Sequence, residues 1–334
     1  MTGLVGVEGR RFRSRTAVRW IAVLAVAAAL LVVAGAWSST RPASAATQAQ
    51  AEEQYRLSVE DWERNGETYQ QDCLDGEAAA REDDPQVDWG CDSMEPQLDQ
   101  FLPYRAELAT SITSWLSAVA QFLLLLALGA GVTAVTAELG SGSMALWLTF
   151  VPRRGRVYAS KIAAPVLGVL APAAVVVVLA CGGAYGATAL NDQVGAMTGE
   201  AWADLGWQGL RVVALAGLVA GVGAALGFVL RSAAAALGVV VGWLVLVDSV
   251  VLGGFVPSLA RWRLLVQVQA WLEGGAEIYV TVPCTDLVGA DAPPGGLCSA
   301  PVTITQMQGG LLLVAVAVVL VAVGWFAFRR RDLD

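Results

Sequence analysis

Six stretches of the chain are apolar over lengths that reach across a bilayer, and polar sequence separates them. They cover residues 20–37, 112–137, 162–190, 210–230, 233–255 and 309–328. At about 1.5 Å per residue, each helix would cross a hydrocarbon core of about 30 Å. Trp20 and Trp37 bracket the first stretch, where indoles suit the membrane interface. Pro165 and Pro172 fall inside the third and predict a broken or tilted helix there. The pattern predicts an all-α polytopic membrane protein with six transmembrane helices. A soluble enzyme and a disordered chain are both excluded, because 56% of residues are hydrophobic and only 15% are charged.

Charge sets the expected orientation. With the N-terminus inside and the spans alternating, the inner side holds 13 basic residues. They are Arg10, Arg11, Arg13, Arg15, Arg19, Arg153, Arg154, Arg156, Lys161, Arg231 and Arg329–Arg331, against the acids Glu8, Glu138, Asp332 and Asp334. Arg and Lys near span ends face the cytoplasm, so both termini are expected inside. Segments 1–19, 138–161 and 329–334 are then cytoplasmic, and 38–111, 191–209 and 256–308 lie outside. An Arg-rich start, an apolar run and Ala43-Ser44-Ala45 also trace the outline of a secretory signal peptide. The run is longer than a usual signal core, which favours a retained first span.

The outer segments carry the acidity. Residues 38–111 hold 17 acids and 5 Arg. Within them Gln48–Tyr69 reads as a helix with an apolar stripe, Cys73 to Cys91 as a stapled loop, and Gln97–Thr110 as a second helix leading into the next span. Glu82, Asp83, Asp84, Asp88 and Asp92 lack the spacing of a calcium loop and read as a solvated face. Four cysteines fall outside and allow three pairings. The local ones, Cys73–Cys91 and Cys284–Cys298, are the simplest and suit an oxidising compartment. Around Arg261-Trp262-Arg263 and on to Leu272, a helix lying on the membrane or dipping into it is expected.

The chemistry open to the chain is narrow. It has no His, which removes Ser-His and Cys-His nucleophile pairs and His-ligated zinc. The one Lys, Lys161, stands outside any phosphate-binding loop, so no nucleotide hydrolysis is expected from this chain. A net charge of −8 argues against nucleic acid as a partner. Gly217, Gly221, Gly223 and Gly227 on the fourth span predict close helix packing. Arg211 opens that span, and Asp248 lies roughly 22 Å along the fifth, where a carboxylate is costly. Three roles are open: the two pair, Asp248 caps backbone donors of the outer segment, or Asp248 serves a substrate or proton.

The segment Glu138–Lys161 reads ELGSGSMALWLTFVPRRGRVYASK. A Glu closes the second span, then come Gly142-Ser143, an apolar turn over Met144–Phe150, Pro152 with Arg153 and Arg154, and Lys161 at the third span. In this order the segment resembles the permease subunits of type-2 ABC exporters, which commonly carry Thr where Ser143 stands. Arg330–Asp332 after the last span is similar to endings in that family. The large 38–111 insert is not a general family trait.

The resemblance implies a homodimer or a paired permease in the lipid membrane, working with a separate ATP-binding subunit. ATP and Mg would sit on that partner, with no cofactor in this chain. Glu138, Gly142, Ser143, Met144, Trp147, Phe150, Pro152, Arg153, Arg154 and Lys161 would form the coupling segment, and Arg10–Arg19 an interfacial helix. Ala-, Val- and Arg-rich, Lys-poor usage points to a bacterial plasma membrane. The reading from another class is a non-transporting envelope sensor or scaffold that uses its acidic ectodomain.

Overall fold

The computed structural model describes residues 2–82, 87–144, 153–284 and 296–330. Six of its helices are long and apolar enough to cross a membrane. They are α2 (Thr16–Thr40), α5 (Leu108–Gly140), α6 (Arg154–Leu190), α7 (Gly199–Leu230), α8 (Ala233–Phe255) and α10 (Gln306–Arg330). The chain is a multi-pass, all-α membrane protein. It divides into two compact units, residues 37–106 and the remainder.

In the membrane unit, α5 and α7 are central, with 67% and 61% of their apolar windows buried, against 11% for α2 and for α8. Glycine allows their approach. A Cβ on Gly131 would lie 1.9 Å from the Ala220 carbonyl oxygen, and one on Gly223 would lie 2.3 Å from that of Leu128. The four glycines of α7 serve two faces. Gly223 and Gly227 meet α5, while Gly217 and Gly221 meet Val166 and its neighbours on α6. Pro165 and Pro172 do not break α6, which runs unbroken over 37 residues. Inside a bilayer a broken helix would strand further backbone groups with no water to satisfy them, so the helix persists on either side of each ring. The final part of α8, Trp243–Phe255, widens to π geometry, and Asp248 is its buried residue.

A short amphipathic helix, α1 (Thr2–Ser14), precedes α2, and the break between them falls at Arg15. The α1 ring of Phe12 packs where Gly168 of α6 leaves room, since a Cβ there would lie 2.5 Å from it. Beyond α8, a 3-10 turn over Pro257–Trp262 leads to α9 (Leu264–Glu273). Two strands follow, β1 (Gly275–Pro283) and β2 (Leu297–Thr305), paired antiparallel from Gly275↔Thr305 to Pro283↔Leu297. The hairpin departs from the loop expected over 256–308. Its signal was the alternation in Ala276–Val282, where side chains point to opposite faces in turn.

The unit of residues 37–106 is built on α3 (Ala45–Ala80), which extends the expected helix at both ends. Ser44 opens α3 by accepting the Thr47 N–H at 3.2 Å. Cys73 therefore sits on a helix, not in a stapled loop, and bonds to Cys91 in a 3-10 turn. The apolar stripe and good helix formers carry α3 through that cysteine. Glu77, one turn on, accepts the Trp89 N–H at 2.8 Å and draws the returning chain onto α3. The helix expected over Gln97–Thr110 is two pieces. The short α4 (Leu98–Phe101) ends, Leu102 turns extended ahead of Pro103, and α5 begins only at Leu108. The residue before a proline is pushed out of helical geometry. Tyr55 and Phe101 hold α4 on α3, with ring centroids 5.9 Å apart. Arg105 closes the unit by donating to the Thr40 carbonyl at 2.8 Å and 3.0 Å.

Candidate functional site

Four charged side chains converge at the end of the membrane unit where α1, α5 and α6 meet. Glu8 comes from α1, Arg15 from the α1–α2 break, Glu138 from the end of α5 and Lys161 from the start of α6. The Lys161 ammonium contacts Glu8 Oε2 at 2.5 Å and also Glu138 Oε2. Arg15 Nη2 takes the other oxygen of Glu138, and its Nη1 donates to the Thr133 carbonyl at 3.0 Å. Lys161, Glu8 and Glu138 are only 3%, 5% and 6% exposed. Two cations face two anions, so the buried group is neutral. A carboxylate in the last turn of a helix opposes the helix dipole, and the two cations offset that cost at Glu138.

Of the residues expected in the coupling segment, Glu138 and Lys161 are buried and turned inward onto each other. Met144 is likewise internal, 1% exposed, packed with Val135, Tyr158, Phe228 and Phe328. Tyr158 anchors that cluster, donating to the Val321 carbonyl at 2.6 Å with its ring 4.9 Å from Phe228.

Gly142 takes φ +70°, the left-handed conformation that ends a helix. Ser141 and Ser143 hydroxyls donate to the Glu138 carbonyl at 3.3 Å and 3.4 Å, and Ser143 and Met144 themselves return to helical geometry after the Gly142 turn. Arg154 donates to the Arg329 carbonyl at 3.0 Å, joining the start of α6 to the end of α10. Arg153 stands exposed before α6. Trp147, Phe150 and Pro152 lie outside the described residues.

At the opposite end of the bundle, Arg211 and Asp248 do not meet. Asp248, fully buried, accepts the Leu264 N–H, and the Leu265 N–H at 3.4 Å, at the start of α9. The Arg263 guanidinium lies 3.7 Å from it. Arg211 donates to the Leu272 carbonyl at the far end of α9, at 3.3 Å, and accepts the Trp271 indole N–H at 3.4 Å through its own carbonyl. Of the roles open to Asp248 in the sequence, capping is the one its contacts display. The local pairings Cys73–Cys91 and Cys284–Cys298 are both formed.

Sequence reading of 138–161 missed Glu8 and Arg15 as members of the charge cluster. The available signal was that Glu8 and Glu138 are acids on a side otherwise rich in Arg. The fold and its two charge sites define a six-span, multi-pass membrane protein. The chain matches no protein-family model and no curated protein sequence.

Proposed function

We propose that this chain is the membrane-spanning permease subunit of a type-2 ATP-binding-cassette exporter in a bacterial plasma membrane. Both termini are cytoplasmic in this reading, and a separate ATP-binding subunit supplies the energy. The observation that carries it is the charge cluster of Glu8, Arg15, Glu138 and Lys161, which locks α1, α5 and α6 together beside the segment resembling the exporter coupling loop. A push on residues 145–152 would then reach the second and third spans and the interfacial helix as one body. The contact with the ATPase falls to Trp147, Phe150 and exposed Arg153, and Glu138, Met144 and Lys161 hold the mount.

The test is copurification with an ATP-binding subunit encoded beside this gene, followed by ATPase assay in lipid. The expected result is a stable complex that Trp147→Ala with Phe150→Ala dissolves, while the amount of folded protein in the membrane stays unchanged. Absence of a complex with any ATP-binding subunit overturns the reading. One observation favours the alternative of an envelope sensor or scaffold: residues 37–106 form a compact unit with their own disulfide. On that alternative, deletion of residues 45–101 abolishes function and the Trp147/Phe150 substitutions leave it intact.

A further inference from the structure

A polar cavity of about 410 Å³ opens beside α9, bounded by the first turns of α5, the N-terminal half of α7 and the end of α9. That volume lies in the range of small-molecule sites. Thr113, Asp204, Gln208, Arg211 and Glu273 supply its polar wall, and Ile112, Leu205 and Leu272 an apolar one. Asp204, Gln208 and Arg211 follow one another at i, i+4 and i+7, so they form one stripe on α7. Along that stripe Asp204 and Arg211 are about 10 Å apart, too far to neutralise each other.

The charges are left open to a ligand. Asp204 is exposed and has no partner among the described residues. Glu273 accepts neutral donors, the Ser117 hydroxyl at 2.7 Å and the Gln269 amide at 3.0 Å. Arg211 spends one N–H on the Leu272 carbonyl and makes no ion pair among the described residues. Gln208, 3% exposed, donates to the Thr113 carbonyl at 3.1 Å and the Ser117 hydroxyl at 3.3 Å, and its own carbonyl oxygen accepts nothing among the described residues. A purely cationic guest would face Arg211, and a purely anionic one two carboxylates. A zwitterion satisfies both ends.

Depth narrows the class further. The cavity straddles the point where α7 passes from its polar start to the apolar run beginning near Leu210, which is headgroup level. We propose that this cavity binds a zwitterion joining a primary ammonium to a phosphate, the chemistry of an ethanolamine phospholipid headgroup. The phosphate meets the Arg211 guanidinium, and the ammonium meets Asp204, Glu273 and the Gln208 carbonyl oxygen. A quaternary ammonium has no N–H to give, so choline is the poorer guest. The proposal is independent of the transporter reading.

The full chain is reconstituted in nanodiscs of equal phosphatidylethanolamine and phosphatidylcholine, and lipids retained after release are counted by native mass spectrometry. The wild type is expected to enrich phosphatidylethanolamine roughly tenfold, the factor one charged hydrogen bond supplies. Asp204→Asn should return retention to parity. Glu200→Gln, an exposed acid on α7 outside the cavity, should leave the enrichment as it was. O-phosphoethanolamine is titrated against delipidated protein in parallel. If it binds, and Asp204→Asn weakens it, while neither lipid is enriched, the free zwitterion is the source and the site chemistry stands. Equal retention of both lipids with no binding of O-phosphoethanolamine overturns the proposal, as does enrichment that Asp204→Asn leaves unchanged.

Discussion

Asp248 and Arg211 hold opposite ends of the same ten-residue helix, α9, and never touch each other. The acid sits on the N-terminal N–H groups and the base on the C-terminal carbonyl, so each complements the helix dipole where it stands. A carboxylate that is expensive singly inside a bilayer and a base nearer its edge become the two clamps of α9. Asp248→Leu would strand the Leu264 and Leu265 donors beside the Arg263 guanidinium. The expected loss is about 2–3 kcal/mol, read as a lower thermal midpoint in detergent. Asp248→Asn keeps an acceptor and should cost about 1 kcal/mol. Transport lost in Asp248→Asn at an unchanged midpoint would return Asp248 to a substrate or proton role.

The cluster at the other end makes a sharper demand. Lys161 stands between Glu8 and Glu138, so Lys161→Met leaves two buried carboxylates with Arg15 as their remaining cation. Removing one member of a buried ion pair typically costs about 3–5 kcal/mol. Lys161→Met and Glu138→Leu should each deplete folded protein from the membrane. The double substitution Glu138→Leu with Lys161→Met should recover much of that loss, because it removes one charge of each sign and leaves Glu8 and Arg15. Membrane levels and thermal midpoints in the three variants form the cycle that checks this. A double variant as unstable as the sum of the singles would show that the pair is not coupled.

The six spans were legible because a bilayer needs about 20 apolar residues in a row, a requirement met locally. The charge cluster was not. Glu8 and Lys161 are 153 residues apart in sequence, and only the packing of α1 along α6 brings them together. Glu138 drew notice for its place in a familiar order of residues, yet order does not tell whether a side chain turns inward or out. Its burial followed from Arg15, whose partner no local pattern names. The caps on α9 stood among the readings of Asp248, but Arg211 at the far end was invisible until α9 had a length. The hairpin was not legible although Glu277–Val282 alternates, because the expected helix ended at Leu272 and the rest of 256–308 read as loop; Gly274, at φ +89°, turns the chain into β1.

The acidic unit offers a prediction on pH. On α3, Arg56 donates to Glu53 from Nε at 3.1 Å and Nη2 at 2.6 Å, and to Glu60 from Nη1, and holds the Glu53 carboxyl below the usual glutamate range. A carboxyl with a depressed folded pKa contributes stability that is present above its unfolded value of 4.5 and is lost as pH falls through the folded one. Carbon-13 chemical shifts of Glu53 should therefore titrate below pH 4.5, and Arg56→Gln should move the midpoint upward. Both side chains are exposed, so the effect should shrink in high salt.

Disulfide removal tests how the same unit is held. Cys73 and Cys91 lie 18 residues apart and join the later turns of α3 to the strand of chain that returns along it. Closing a loop of that length is worth about 3 kcal/mol by restricting the unfolded chain. Cys73→Ser with Cys91→Ser should open residues 87–97 to protease at concentrations that spare the wild type.

Glycine substitution separates the central contact from the periphery. Gly131 and Gly223 lie where backbone meets backbone, so a methyl group can be accommodated only by moving α5 away from α7. Those helices carry the largest share of the buried core, and overpacking of this kind costs about 1–3 kcal/mol or more. Gly131→Ala and Gly223→Ala should each lower the thermal midpoint clearly. Gly182 and Gly186 on α6 have nothing within 4 Å of an added Cβ. There the methyl meets open space, and the backbone gains the helix propensity of alanine, worth up to about 1 kcal/mol. Gly182→Ala and Gly186→Ala should hold or raise the midpoint. If both pairs responded alike, general helix propensity would govern and the α5–α7 approach would not be the contact that limits stability.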